Sequence, residues 1–325
     1  MPSISRRGIF ALAGGALATP FVSKLGSAAA WPSKPIRVIV PFSAGSTTDL
    51  VGRIVMENVG AQFGQPVVIE NRGGAGGTIG ANIALQAPAD GYTLLVHSSA
   101  HSAAPAAYPR TPYSPAKDLR GIASFGSVPN VVVISPTKNI KTLKELAAAG
   151  KKGNMTFASA GIGSASHWAA ERFRLAAGFD GTHIPFRGGP EGLTEILAGR
   201  VDFMCIGVSS GMPFIRDGRL LALGVTTPRR SSALPDVPTT IEAGYPNSDF
   251  TFWNGLLASA KTPTPIIDQL HKAVVKALEA PETKARFGPQ GIEPMAVTPE
   301  EFDAVIRGEI ESNLAIVKAA NLKFM

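Results

Sequence analysis

Two short segments carry residue types that grip an anion without any cationic side chain. The first is Pro41-Phe42-Ser43-Ala44-Gly45-Ser46-Thr47-Thr48-Asp49, a loop of small and hydroxyl residues between an apolar run, Ile36–Val40, and helix-forming sequence from Asp49. Ser46 and Asp49 stand in the S/T-x-x-D/E spacing of a capping box, which marks a helix start. Free backbone N–H groups and the positive end of the helix dipole make such a start an anion site. Ser43, Thr47 and Thr48 add hydroxyl donors. The second segment, Ser159-Ala160-Gly161-Ile162-Gly163-Ser164-Ala165-Ser166-His167, repeats the device after another strand-like run, Met155–Ala158. Gly161 and Gly163 permit close backbone approach there, and Ser159, Ser164 and Ser166 offer hydroxyls. One helix N-terminus binds nothing in most proteins. A pair, each at the carboxyl end of a strand, lies where open α/β sheets place ligands and predicts an anion held from two sides.

Other residues are weaker candidates. Arg187, just after the strand His183–Phe186, is placed to meet a second ligand charge or to lie on the surface. Ser98 and Ser99 end a strand and face the same cleft. Asp49 is either a cap or an acceptor for a ligand amine or hydroxyl. Gly73-Gly74-Ala75-Gly76-Gly77-Thr78-Ile79-Gly80 loosely echoes a dinucleotide fingerprint, but no acidic residue ends the next strand, so helix-on-sheet packing explains it better. Gly207-Val208-Ser209-Ser210-Gly211 has the G-x-S-x-G form of a hydrolase nucleophile turn, with Asp268 and His271 following in hydrolase order. Those two lie three residues apart on one expected helix, which is poor triad geometry, and a Gly/Ser-rich strand exit accounts for the motif. A secreted hydrolase using Ser209 is therefore the alternative, not the leading reading. The five histidines show no zinc spacing, and no metal or cofactor is expected.

The elements that must position these loops follow the grammar of a parallel α/β sheet, with Val/Ile-rich runs alternating with helix-like segments. Strands are expected at Ile36–Val40, Pro66–Glu70, Thr93–His97, Val131–Ser135, Met155–Ala158, His183–Phe186, Val201–Ile206, Leu220–Thr226 and Phe250–Ala258, with a loop over Ala100–Pro115. Helices are expected at Asp49–Phe63, Thr78–Gln86, Leu143–Ala149, Ser166–Ala177, Glu191–Ala198, Pro265–Glu279 and Pro299–Ala319. Apolar crossings at Val128–Ser135 and Phe250–Ala258 divide the chain into two lobes, 31–128 with 252–325 and 129–251. The expected fold is α/β: a bilobed binding protein with two open sheets, helices on both faces and two interdomain crossings.

The N-terminus is set aside as a targeting segment. Arg6-Arg7-Gly8-Ile9-Phe10 has the twin-arginine pattern, a mildly apolar stretch follows, and Ala28-Ala29-Ala30 sets the expected cleavage before Trp31. Pro20 and the shortness of the stretch disfavour a retained anchor. Residues 1–30 are thus a twin-arginine-type signal peptide, and the mature chain of 295 residues is exported to the periplasm. Losing Arg6, Arg7 and Lys24 but no acid lowers the net charge from +7 to +4. The remaining basic residues are scattered, with no basic run interleaved with aromatics, so nucleic acid is not an expected partner. The single cysteine, Cys205, excludes an intrachain disulfide and sits in an apolar run as a buried thiol.

Ordered blocks along the whole mature chain resemble one family. "WPSKPIRVIVPFSAGSTTD", "VVIENRGGAGGTIGA", "ADGYTLL", "FASAGIGSASHWAAE", "PFRGGPEGLTEILAGRVDFM" and "FWNGLLASAKTPTPII" are similar to the signatures of the Bug family, the extracytoplasmic solute receptors of tripartite tricarboxylate transporters. The resemblance implies a Venus-flytrap fold closing over a small carboxylated solute, a monomeric receptor, and integral-membrane transporter subunits as partners. It implies that the first and second loops hold a carboxylate through Phe42, Ser46, Thr48 and Asp49 on one side and Ser159, Gly163 and Ser164 on the other. The chain departs from the family in having Gly45-Ser46 where a glycine pair is usual, and Gly73 where proline is common.

Overall fold

The structure is a computed structural model that describes residues 31–295 and 297–319. The twin-arginine segment and its cleavage site lie outside the described residues. The elements run in chain order as β1 (Ile36–Val40), α1 (Thr47–Phe63), β2 (Val67–Asn71), α2 (Thr78–Gln86), β3 (Thr93–Ser98), α3 (Ala100–Ala107), α4 (Pro115–Asp118) and β4 (Leu119–Ile134). There follow α5 (Leu143–Gly150), β5 (Met155–Ser159), α6 (Ala165–Ala177), β6 (Gly181–Pro185), α7 (Gly189–Leu197), β7 (Phe203–Gly207), α8 (Val208–Arg216) and β8 (Leu221–Val225). β9 (Thr251–Ser259), α9 (Thr264–Glu279), α10 (Pro281–Phe287) and α11 (Pro299–Ala319) close the described chain.

Two parallel cores are built as the alternation requires. β1 pairs in parallel with β2 and β3, and β5 pairs in parallel with β6 and β7. The crossings differ from expectation in length. β4 is a 16-residue strand, about 50 Å long at the rise of an extended chain. Its first part pairs antiparallel with β9, which in turn pairs with β3. Its last part, Asn130–Ile134, pairs with β7 on one side, and β8 runs along its other side. The two expected sheets therefore share β4 and join into one curled, mixed sheet of nine strands. Register shifts at Gly121/Ala123 and Ser124/Gly126 let so long a strand bend.

Helices cover both faces. Over the second half of the sheet, Phe157 and Phe203 pack with Phe179 and with Phe173 of α6 on one face, while Met204 and Ile206 pack with Leu193 of α7 and Met212 of α8 on the other. In the first half, Ile39, Leu95, Trp253 and Leu257 pack against Phe302 and Ile306 of α11. Each fully buried phenylalanine contributes roughly 2–3 kcal/mol of transfer free energy. Cys205 is buried and unbridged, and burial pushes its thiol pKa up.

Three expectations are corrected here. The segment Ala100–Pro115 holds a helix, α3, whose alanines pack inward despite Pro105. Gly207–Gly211 is no loose strand exit: α8 begins at Val208 and runs through Pro213. α1 starts two residues earlier than expected, at Thr47. No described helix is long and apolar enough to cross a membrane.

Candidate functional site

The carboxyl ends of β1, β3, β5 and β7 converge on one small, partly open cavity of about 40 Å³. The first turns of four helices line it: α1, α6 and α8 follow β1, β5 and β7, and α7 follows the neighbouring strand β6.

Ser46 is the N-cap of α1, with extended backbone at φ −65° and ψ 157°, and its Oγ accepts the Asp49 N–H at 3.3 Å. Having accepted that bond, the hydroxyl keeps its own proton for an acceptor in the cavity. Thr47 and Thr48 complete this wall with Phe42. Asp49 itself does not line the cavity. Its carboxylate is buried and accepts from the Gly45 N–H, from Arg53 Nε and from Asn71 Nδ2, all at 2.9–3.0 Å. Burial opposes its ionisation, but these hydrogen bonds outweigh burial and hold its pKa below the ordinary carboxylate range. Asn71 Nδ2 also donates to the Phe42 carbonyl, so Asp49 anchors the loop from behind instead of receiving a ligand group.

The opposite wall is built the same way. Ser164 caps α6, its Oγ accepting the His167 N–H at 3.3 Å and lying 3.0 Å from Ser166 Oγ, which accepts the Ala160 N–H. Ala160, Ser164, Ala165 and Ser166 face the cavity. Gly161 and Gly163 give this loop its left-handed turns, with φ of +118° and +71°, but their amides are used within it, by Ser159 Oγ and His167 Nδ1. Ser159 is buried and bonds His183 Nε2 at 2.6 Å. His167 and His183 stack with ring centroids 3.8 Å apart. Burial, and for His167 also the neighbouring His183 and Arg174, lowers both pKa values, that of His183 to about 4. The two neutral rings brace the loop.

The remaining sequence candidates divide clearly. Ser98 lines the cavity, whereas Ser99 is buried beside it at the N-cap of α3. Arg187 is exposed and outside the lining. Ser43 donates to Glu191 Oε1 in the first turn of α7, and Thr47 Oγ1 meets Ser210 Oγ at 3.0 Å, so these residues tie the two halves of the chain together across the cavity. Ser210 also donates to the Gly45 carbonyl. The hydrolase alternative fails on geometry. Ser209 Oγ is buried with no hydrogen-bond partner among the described residues, and His271 instead bonds the Ile122 carbonyl through Nδ1.

Ser166, read from the sequence as a hydroxyl donor, lines the cavity; sequence reading missed Asn130, Gly189, Gly207 and Ser210, which line it with Met204, Ile206 and Phe252. Asn130 had a visible signal, being the one polar residue in the apolar run from Val128 to Ile134. None of the lining residues is Lys, Arg or His. His97 packs edge-on behind Phe42, and burial, then its neighbour His101, keeps it neutral by lowering its pKa well below the usual histidine value.

Comparison with known proteins identifies the family. The profile of the tripartite tricarboxylate transporter family receptor matches residues 51–322. Protein BugT of Bordetella pertussis is 34% identical over 322 residues, covering 97% of this chain and 98% of BugT. Among solved structures, the periplasmic binding protein BugD superposes with a TM-score of 0.87 at 32% identity, covering 90% of this chain and 99% of BugD. MatC from Rhodopseudomonas palustris, solved with bound malate, gives a TM-score of 0.84 at 32% identity over 88% of this chain and all of MatC.

Proposed function

Since the chain belongs to the tripartite tricarboxylate transporter receptor family, a family of solute-binding receptors and not of enzymes, we propose that it captures a small organic carboxylate in the cavity between Ser46 and Ser164. It acts as a periplasmic monomer and delivers the solute to integral-membrane transporter subunits. Its lobes, residues 31–128 with 252–325 and 129–251, close about the crossing strands β4 and β9. The malate seen in MatC supports a carboxylate as the ligand class.

One observation carries this reading: the hydroxyl-capped first turns of α1 and α6 face each other across one cavity with no cationic side chain. First-turn amides have no intrahelical acceptor, and with the dipole they favour a negative group. Burying a carboxylate there exchanges its hydration for fixed donors that need no reorganisation. Closure follows because the anion is fully coordinated only when both walls meet it.

Ser164→Asp tests the reading. Aspartate is as good an N-cap as serine, so the helix start survives while a fixed negative charge occupies the proposed carboxylate position. Calorimetric titration of a mono- and dicarboxylate panel against wild type and S164D is expected to show at least a hundredfold loss of affinity, with the melting temperature of the free protein nearly unchanged. Equal affinity in both proteins would place the carboxylate elsewhere.

A further inference from the structure

One polar side chain of the cavity outside the clamp has no hydrogen-bond partner among the described residues. Asn130 lies on β4 where the strand leaves β9 and begins to pair with β7. Its main-chain carbonyl accepts the Thr226 N–H at 2.9 Å, which fixes the backbone. Its side chain is 1% exposed, lines the cavity, and has neither Oδ1 nor Nδ2 hydrogen-bonded to any described residue. An orphaned buried amide is costly, and in native proteins each one calls for a partner. A carboxamide presents an acceptor and two donors side by side, so its complement is a group that both donates and accepts. A hydroxyl or another carboxamide fits. A carboxylate satisfies Nδ2 but faces Oδ1 with like partial charge.

The charge of the cavity gives the same answer. The first turns of α1, α6, α7 and α8 each bring roughly half an elementary positive charge. The α1 turn holds Asp49, but Arg53 neutralises it at 2.9 Å. The α7 turn holds Glu191, which is bonded to Ser43 and has no cationic partner among the described ion pairs. The α6 and α8 turns contain no acid. With Glu191 subtracted, the cavity wall carries about one net positive charge, enough for a single carboxylate. A second one would be desolvated without a counter-charge, a costly transfer.

We propose that the physiological ligand carries one carboxylate, held between Ser46 and Ser164, and a neutral hydroxyl or carboxamide group read by Asn130, which makes Asn130 the specificity residue. This rests on the carboxylate-receptor reading above and narrows it to ω-neutral monocarboxylates, in contrast to the dicarboxylate malate bound by MatC.

Matched acids test it at pH 8, where every carboxylate is ionised: butyrate, succinate and succinamate, then valerate, glutarate and glutaramate, titrated into wild type and Asn130→Leu. In wild type at least one monoamide is expected to bind tenfold or more tighter than the dicarboxylate and the plain acid of its own series. N130L is expected to bring that monoamide down to the level of the plain acid in the same variant, while a wild-type circular dichroism spectrum and cooperative melting report that the variant is folded. A dicarboxylate that binds tighter than its monoamide in wild type overturns the inference without touching the receptor reading. So does a monoamide preference that survives in N130L, which would mean that Asn130 meets only water. Failure of all six acids to bind would overturn both.

Discussion

Ser46 combines two roles that pull on the same oxygen. As N-cap it accepts the Asp49 amide, and as a cavity residue it keeps a proton to donate. In the resembling family a glycine is usual at this position, and glycine can end a loop and start a helix without either bond. Capping energetics separate the two roles: replacing a serine cap by alanine costs about 1 kcal/mol, by glycine only a few tenths. Urea denaturation is therefore expected to rank wild type, Ser46→Gly and Ser46→Ala in falling stability, while carboxylate affinity falls in both variants by similar factors because both lose the hydroxyl. Affinity that follows the stability order instead would show the hydroxyl acting on the helix alone. At this scale the sequence was legible where a residue's chemistry is local. Ser46 is a cap by spacing and Ser164 a hydroxyl donor by its place in the loop, and the structure puts both at the cavity. Asp49 was legible as a cap but not as an anchor, since Arg53 lies one turn on and Asn71 twenty-two residues away. Asn130 stood out in the sequence as the one polar residue of an apolar run, but its role was not legible, because the absence of a partner is a property of the fold.

Among the elements, the parallel strands and the helices between them were legible from apolar runs and their breaks, because burial on both faces demands such runs. β4 was not. Only its last third is a continuous apolar run; the rest, with Gly121, Ser124, Gly126 and Ser127, reads as loop yet pairs with β9 along its length. α3 was missed because Pro105 contradicts helix propensity, and tertiary packing overrides it. α11 shows how such a helix is held. Glu309 on α11 accepts Trp253 Nε1 of β9 at 2.8 Å, and burial, only partly offset by that bond, raises its pKa to about 7. A carboxyl raised above its unfolded value stabilises the fold fully below the unfolded pKa, and that stability is lost as pH rises through the folded value. The buried neutral histidines act in the opposite direction, losing stability as pH falls below their unfolded pKa. Comparing Glu309→Gln with wild type cancels the histidine contribution. The stability of E309Q relative to wild type is expected to rise by on the order of 2 kcal/mol between pH 4.5 and pH 8, read from urea midpoints at the two values. A pH-independent difference would mean that Glu309 titrates normally.

For the whole molecule, the contacts across the cavity define how tightly it is shut. The described residues from Pro32 to Ala319 belong to one compact unit, and its two halves approach closely over the cavity where Gly207 at the start of α8 meets Thr47 at the start of α1. A Cβ on Gly207 would lie 2.2 Å from Thr47 Oγ1 and 2.8 Å from its Cγ2. Gly207 has φ −57°, which any residue adopts, so alanine is not strained in its backbone; as N-cap of α8 it costs under about 1 kcal/mol of capping, and the greater strain falls on the meeting of the halves. If binding requires closure, Gly207→Ala shifts the population toward an open form, and the apparent affinity falls by the fraction of closed protein that is lost. Small-angle scattering of ligand-free G207A is expected to give a larger radius of gyration than wild type, with carboxylate affinity at least tenfold weaker and helix content by circular dichroism unchanged. Thr47→Ala removes the two nearest atoms and leaves only the threonine Cβ, 3.0 Å away. Introduced into G207A, it is therefore expected to recover most of the compactness, and affinity up to the share that the Thr47 hydroxyl itself contributes. A G207A protein as compact and as tight-binding as wild type would show that the halves meet too softly at this point for Gly207 to control closure.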